Sequence, residues 1–197
     1  MQLKQKKINY NIIDEKTKDI FLYEINNHLL MDDKPSEYFN GILEVPVFKE
    51  HPFYMLYNLK TAQQSPVHHP EGNAWNHTML VIDHAAAEKH RSSDEKAFMW
   101  AALLHDIGKP ATTKIRKGKI TSYDHEKVGA AMAREFLEEF TTDEQFIKKV
   151  CALIRWHMQI LHVVKNMSFR NIKDMKEEAD VNEVSLLGFC VRMGRKN

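Results

Sequence analysis

Apolar residues recur at helical spacing along most of the chain. In residues 14–32, DEKTKDIFLYEINNHLLMD, the residues Ile20, Phe21, Ile25, Leu29 and Leu30 fall on one face, the three-and-four spacing of an amphipathic helix. KPSEYF opens a second, short helix with Ser36 as its N-cap. Residues 45–73 hold four of the six prolines and read as an irregular connection with short helical pieces. Helix signals then become dense. Residues 74–90 form one helix, and Ser92 followed by Glu95 reads as a capping box for the next, which ends at Gly108 with Pro110 beyond. TTKIRKGKITSY predicts a small hairpin about Lys117-Gly118. Asp124 caps a helix over about residues 125–140, Thr142 with Gln145 opens another to about residue 161, and Asp180 with Glu183 opens the last, to about residue 193. The pattern predicts an all-α, compact helical bundle with one small hairpin near residues 112–122.

Four of these helices or helix ends contribute a histidine that points inward or stands at the rim. His77, Leu80, Val81 and His84 share a face. The helix EKAFMWAALLHDIGK is hydrophobic almost all round, which makes it central in the bundle, and His105 and Asp106 stand in its last turn. An ionised aspartate there is costly unless it is paired or bound to a metal. Neighbouring side chains on a helix diverge by about 100°, yet at a helix end two of them can converge on one ion just beyond it. His125 begins the helix after the hairpin, and His157 shares a face with Val150, Ile154 and Leu161.

His and carboxylate together suit one or two divalent ions from Mn, Fe, Co, Ni and Zn, or Mg with more waters. An aspartate bridging two such ions, about 3.5–4 Å apart, would hold a hydroxide for attack on phosphorus. Lys109, just past the helix end, is placed to meet a substrate phosphate. Taken singly, each inward histidine also reads as a hydrogen-bonded core residue. Adjacent buried ionisable groups, as at His105-Asp106, need a reason of their own. His84 reads as core or as support for the site. His51, His68, His69, His90 and His162 read as surface or locally hydrogen-bonded. Lys114, Arg116, Lys117 and Lys119 form either a solvated hairpin tip or a phosphate-attracting rim.

Composition narrows the class. The chain has 197 residues with a formal net charge of +1, so no global field directs it to DNA or to a membrane, and no DNA-binding motif is present. Cys151 and Cys190 lie outside any Cys-x-x-Cys pair, in apolar helical patterns, and read as buried free thiols of a reducing compartment. The first residues, MQLKQKKINYNII, are basic without an apolar leader core. The expected location is the cytoplasm.

The order His77, then His105-Asp106, resembles the HD superfamily of metal-dependent phosphohydrolases. HHPEGNAWNHTMLVID, WAALLHDIGKPATT and YDHEKVGAAMA resemble the HD domain of bacterial tRNA nucleotidyltransferases, the CCA-adding enzymes, and so does the segment MDDKPSEYFNGILEVPVFKEHPFYMLYNL. The resemblance spans roughly residues 14–195. It implies residues 73–197 as the HD domain, with residues 1–72 a helical extension and connector packed on it as one structural unit. No Gly-Ser followed by an Asp-x-Asp strand is present, so CCA addition itself is not expected. The activity implied is hydrolysis of a phosphomonoester or phosphodiester of a nucleotide or RNA end through a metal-bound hydroxide. By family role His77, His105 and Asp106 are metal ligands, while His125 and His157 bind a second metal or the phosphate, and Asp106 and Lys109 are the catalytic pair. One position departs from the family. The last helix normally brings an aspartate in a stretch like C-x-A-D-x-x-G-R, whereas here LLGFCVRMGRKN sets Val191 at that place. The alternative reading is therefore a non-catalytic metal- or nucleotide-binding module with a sensing or RNA-accessory role.

Overall fold

The computed structural model describes residues 15–165, 167 and 171–195; the leaderless reading of the first residues lies outside them. The elements are α1 (Glu15–Met31), α2 (Pro35–Ile42), α3 (Tyr54–Tyr57), α4 (Ala74–Glu88), α5 (Glu95–Leu104), α6 (Lys109–Thr112), β1 (Lys114–Arg116), β2 (Lys119–Thr121), α7 (His125–Glu138), α8 (Glu144–Trp156), α9 (Gln159–Val164), α10 (Ile172–Glu178) and α11 (Val181–Met193). Short 3-10 turns cover Pro46–Lys49, Asn58–Thr61 and Lys89–Arg91. The fold is all-α with one antiparallel hairpin, β1 on β2, in which Ile115 pairs with Ile120. No helix of the described residues is long and apolar enough to cross a membrane.

Several helix starts differ from the sequence expectation, each for a local reason. Asp94, not Ser92, caps α5: its carboxylate accepts the Ala97 amide at 3.1 Å, and Ser92 instead donates to Glu183 at 2.7 Å. Asp143, one residue after Thr142, caps α8 by accepting the Gln145 and Phe146 amides. Ser36 lies inside α2, where Pro35 supplies a preset φ for the first turn, and it bonds Asp83 through both amide and hydroxyl. Asp124 precedes α7 in the left-handed region at φ 59° and makes no side-chain cap bond. Asp180 does cap α11.

Helix α5 is the central element. Every residue from Ala97 to Leu104 is buried, and the helix packs against α1, α4, α8 and α11. Three buried tryptophans tie the outer helices to this core through their indole N–H groups, because a buried indole needs an acceptor. Trp75 donates to Asn40 at 2.9 Å, Trp100 to Asn26 at 2.7 Å and Trp156 to Glu178 at 2.8 Å. On α1, Ile25 and Leu29 are fully buried while Ile20 is exposed, so the inward stripe is narrower than its apolar residues suggest. Cys190 is buried and Cys151 only half-buried, and both are free thiols.

The turn between α5 and α6 touches α7 backbone to backbone. A Cβ on Gly108 would lie 2.3 Å from the His125 carbonyl oxygen and 2.5 Å from the Gly129 amide nitrogen. Gly108 has φ −79°, which any residue adopts, so the glycine is needed for this close approach and not for a left-handed helix stop. Gly108→Ala is expected to lose about 3 kcal/mol of stability, read as a lower urea midpoint. Gly41→Ala, where a Cβ meets nothing within 4 Å, should leave the midpoint unchanged or raise it.

Candidate metal centre

Two histidines reach the interior by the same local device. His105 ends α5 and His157 ends α8. Each ring turns back and donates from Nδ1 to the carbonyl three residues earlier, His105 to Ala102 at 2.8 Å and His157 to Ile154 at 2.7 Å. The side chains thereby compete for a helix carbonyl at the last turn, and in the second case the break separates α8 from α9, where the sequence pattern suggests one continuous helix. His125, at the first position of α7, donates from Nδ1 to Ser122 O at 2.8 Å. His77, on α4, meets Gly194 O at 3.2 Å and Glu71 Oε1 at 2.9 Å through Nδ1. Every one of the four Nδ1 atoms faces an acceptor, so Nε2 is the nitrogen left for another partner.

The rings stand in a chain. Centroids are 5.4 Å apart for His77 and His105, 5.4 Å for His105 and His157, and 5.3 Å for His157 and His125. Asp106 sits among them, buried. His105 Nε2 is 3.3 Å from Asp106 Oδ2, and His125 Nε2 is 3.5 Å from Oδ1. Lys109, at the first position of α6, completes the group: its ammonium pairs with Asp106 Oδ2 at 2.7 Å and also contacts Gln64 Oε1. Burial alone raises the Asp106 carboxyl, but its electrostatic interactions with the adjoining His105 ring and the Lys109 ammonium outweigh it and hold the group well below the usual carboxylate range. Burial brings His77 down to about 4, and lowers His157 and His125 as well. These rings are neutral near pH 7, the form that ligates metals.

The donor set fits a divalent ion. His77, His105 and Asp106 bring ligand atoms within 4.8 Å of one another, and so do Asp106, His125 and His157. Buried His105 Nε2 makes no hydrogen bond, although it points at a carboxylate. A cation between ring and carboxylate removes that mismatch, and imidazole with carboxylate is the donor mix of mid-to-late first-row metals. Of the six residues singled out in the sequence, His77, Asp106, Lys109, His125 and His157 line one cavity of about 250 Å³. The sixth, His105, packs between His77 and His157 behind that wall. Val191 and Arg195 also form part of the cavity wall. The valine thus occupies a site-facing position on α11, as the helical pattern indicates.

The sequence pattern does not reveal one contribution, the loop before α4. Gln64, Ser65, His68 and His69 also line the cavity. Of the two readings of His69, surface or locally hydrogen-bonded, the second holds: it is half-buried and bonded to Glu71, with its ring 4.9 Å from that of His77. Glu71 is buried as well, and it accepts from His69 Nδ1 at 2.8 Å besides meeting His77. Burial raises Glu71, but the contacts with His77 and His69 bring its carboxyl down to about 2. A prolyl, glycyl turn with no periodicity hides such residues. The signal available is the run His68-His69-Pro70-Glu71, three polar side chains just ahead of a helix carrying an inward histidine. His84 is half-buried on α4 and makes none of these contacts.

Comparison with known proteins identifies the family of this part of the chain. Residues 74–184 match the family model described as HD domain. The chain is 38% identical over 95 residues to the "Multifunctional CCA protein" of Halorhodospira halophila, covering 48% of this chain and 21% of that protein. It is 35% identical over 117 residues to the "Multifunctional CCA protein" of Aromatoleum aromaticum, 59% of this chain and 27% of that one. The "CC-adding tRNA nucleotidyltransferase" of Thermus thermophilus is 33% identical over 100 residues, 50% of this chain and 22% of its own. The chain spans at most 27% of the length of these relatives.

The position of Val191 gives a prediction. Val191→Asp adds a carboxylate at the cavity wall, so divalent-metal affinity should rise about tenfold, in the range that one further anionic ligand supports. Competition with a chromophoric chelator reads the change, and an unchanged affinity would show that position 191 does not face the ion.

Proposed function

The chain belongs to the HD domain family, and from that premise we propose that it is a divalent-metal-dependent phosphohydrolase. Its substrate is a phosphomonoester or phosphodiester of a nucleotide or an RNA end. The observation that carries the reading is the buried Asp106, ringed by histidines whose Nδ1 atoms are occupied and whose Nε2 atoms are not. His77, His105, Asp106, His125 and His157 are the residues proposed to hold one or two ions of Mn, Fe, Co, Ni, Zn or Mg. The chemistry such an ion supplies is polarisation of a phosphoryl oxygen and acidification of the attacking water.

The remaining work falls to side chains of this chain. Asp106 fixes the site's charge and accepts hydrogen bonds from groups near the phosphorus. Lys109 exchanges its contact with Asp106 for a phosphate oxygen of the substrate, where it offsets the growing negative charge. His125, held at the cavity mouth by Ser122 O, presents Nε2 to the ion in its neutral form and can donate from Nε2 to a second phosphate oxygen only when doubly protonated. The hairpin stands beside this opening, since Ile120 and Ser122 line the cavity. Its Lys114, Arg116, Lys117 and Lys119 are exposed, and no described carboxylate pairs with them. That favours the rim reading over a merely solvated tip, because unpaired cations raise the local concentration of anionic substrate. The names of the relatives include tRNA, which favours an RNA end over a free nucleotide. The two free cysteines accord with a reducing compartment, and we place the protein in the cytoplasm.

Val191 on the cavity wall supports a second reading, a module that binds metal or nucleotide without turnover. Elemental analysis of protein purified without a metal-binding tag, paired with phosphatase and cyclic phosphodiesterase assays in Mn, Ni, Co and Mg, separates the two. The enzyme reading expects retained metal and turnover with at least one substrate. Metal without turnover would leave the binding module, and neither metal nor turnover would remove the enzyme reading. Asp106→Ala should lose metal and at least about a hundredfold of activity. Lys109→Ala should lower kcat about a hundredfold with metal content unchanged, the cost of removing one electrostatic donor to the transition state.

A further inference from the structure

Glu71 is a buried carboxylate outside the ligand set proposed above. Its side chain is 1% exposed. Oε1 faces two imidazoles at once, His77 Nδ1 at 2.9 Å and His69 Nδ1 at 2.8 Å. Oε2 is buried and makes no hydrogen bond. Such a group is expensive to keep in the interior, and the fold goes to some length to hold it there. Gly72 adopts φ 103°, a left-handed conformation suited to glycine. The Gly72 amide donates to His69 O at 3.0 Å, and Asn76 Nδ2 donates to the Glu71 carbonyl at 2.9 Å. Asn73 then caps α4 by accepting the Asn76 amide at 3.0 Å. Turn, carboxylate, cap and His77 form one unit, in which the angle of the His77 ring follows from the position of Glu71.

We propose that Glu71 is the positioning carboxylate of the cation site: it holds His77 by Nδ1 so that Nε2 faces the cavity, and it supplies the anionic charge that Val191 on α11 does not. The inference rests on the metal reading above. Two observations join its halves. Glu71 does not line the cavity and its Oε1 is engaged by two imidazoles, so its proposed action on the ion runs through His77. Gly194 O, three residues beyond Val191, meets the same His77 Nδ1 at 3.2 Å, so the end of α11 and the loop carrying Glu71 converge on one imidazole. A carboxylate bonded to Nδ1 makes the opposite nitrogen a stronger donor. The neutral carbonyl of Gly194 gives less of that effect.

The test uses Co2+ as probe, with the full chain stripped of metal and titrated against a chromophoric chelator. Glu71→Gln keeps the shape and one acceptor oxygen and removes the charge. It should weaken Co2+ binding about 10- to 100-fold, the usual cost of losing such a partner, and shift the visible absorption of the Co2+-loaded protein. The unfolding midpoint of the metal-free protein should stay near that of the parent. Val191→Asp placed in the Glu71→Gln background should recover at least about tenfold in affinity, which a purely structural role for Glu71 does not predict. Where Glu71→Gln does not fold, Glu71→Asp is read in its place: it keeps the charge, shortens the reach, and should weaken Co2+ binding with an altered spectrum. Co2+ binding by either folded variant within about twofold of the parent, or a loss of affinity matched by an equal loss of metal-free stability, overturns the proposal. A parent protein that binds no Co2+ overturns the metal reading itself, and is told apart by that measurement alone.

Discussion

A carboxylate buried at the end of an apolar helix organises this molecule. Asp106 is the last place an ionised group is expected, since α5 is enclosed on all sides by other helices. The cost of taking its charge out of water is several kcal/mol, and nothing in α5 itself offsets it. Neighbouring elements must therefore bring to one point either a cation or the nitrogens that could hold one. Lys109 comes from the next turn, His105 from the preceding residue, His125 from α7 and His157 from α8. The packing of α7 against α5 is closest where this supply is needed, at the contact of Gly108 with His125 and Gly129. Stability and site are not separable here: the glycine that lets two backbones meet also sets the distance between His125 and Asp106.

Lys109 has two positions to fill. In the structure its ammonium is the cation of Asp106, anchored on its other side by Gln64. A divalent ion held by Asp106 would repel the ammonium. Its stem of methylenes is long enough to reach outward into the cavity that a phosphate would enter. Under the proposed function the same side chain would neutralise the carboxylate and then meet the substrate's charge. Its buried setting, beside the hairpin opening, makes this exchange a matter of rotamers and not of moving backbone.

Much of this is legible in the pattern of residues. A helix that is apolar all round has to be central, and His105-Asp106 at its end has to be satisfied from outside it, so the convergence of His77, His125 and His157 follows from their inward faces. Val191 can be placed for the same reason, because it shares a helix face with Val184 and Leu187. Caps are less legible, because neighbouring polar residues compete: Ser92 and Asp94 both qualify, and only the position of Glu183 on a distant helix draws Ser92 away. The loop before α4 is the least legible part, with the run His68-His69-Pro70-Glu71 as its signal. Its order comes from a positive φ at Gly72 and from bonds between residues close in sequence, which leave no periodic trace. Gln64, His69 and Glu71 reach the site through that loop.

The loop also bears on what Val191 means. If the site depended only on carboxylates touching the ion, replacing one by valine would leave a single anion, Asp106, to hold a divalent charge. Glu71 changes that balance without adding a ligand, because charge placed behind an imidazole is felt through the ring. Its distance from the ion makes the effect smaller per charge than a direct contact, so the site should bind more weakly than one closed by a last-helix aspartate, yet more firmly than one with Asp106 alone. A weakly held ion does not by itself imply lost turnover: it leaves more positive charge uncompensated by the protein and hence available to the phosphate oxygens. The valine therefore argues for a different division of charge between protein and substrate, with Glu71 and Lys109 as the residues that set it.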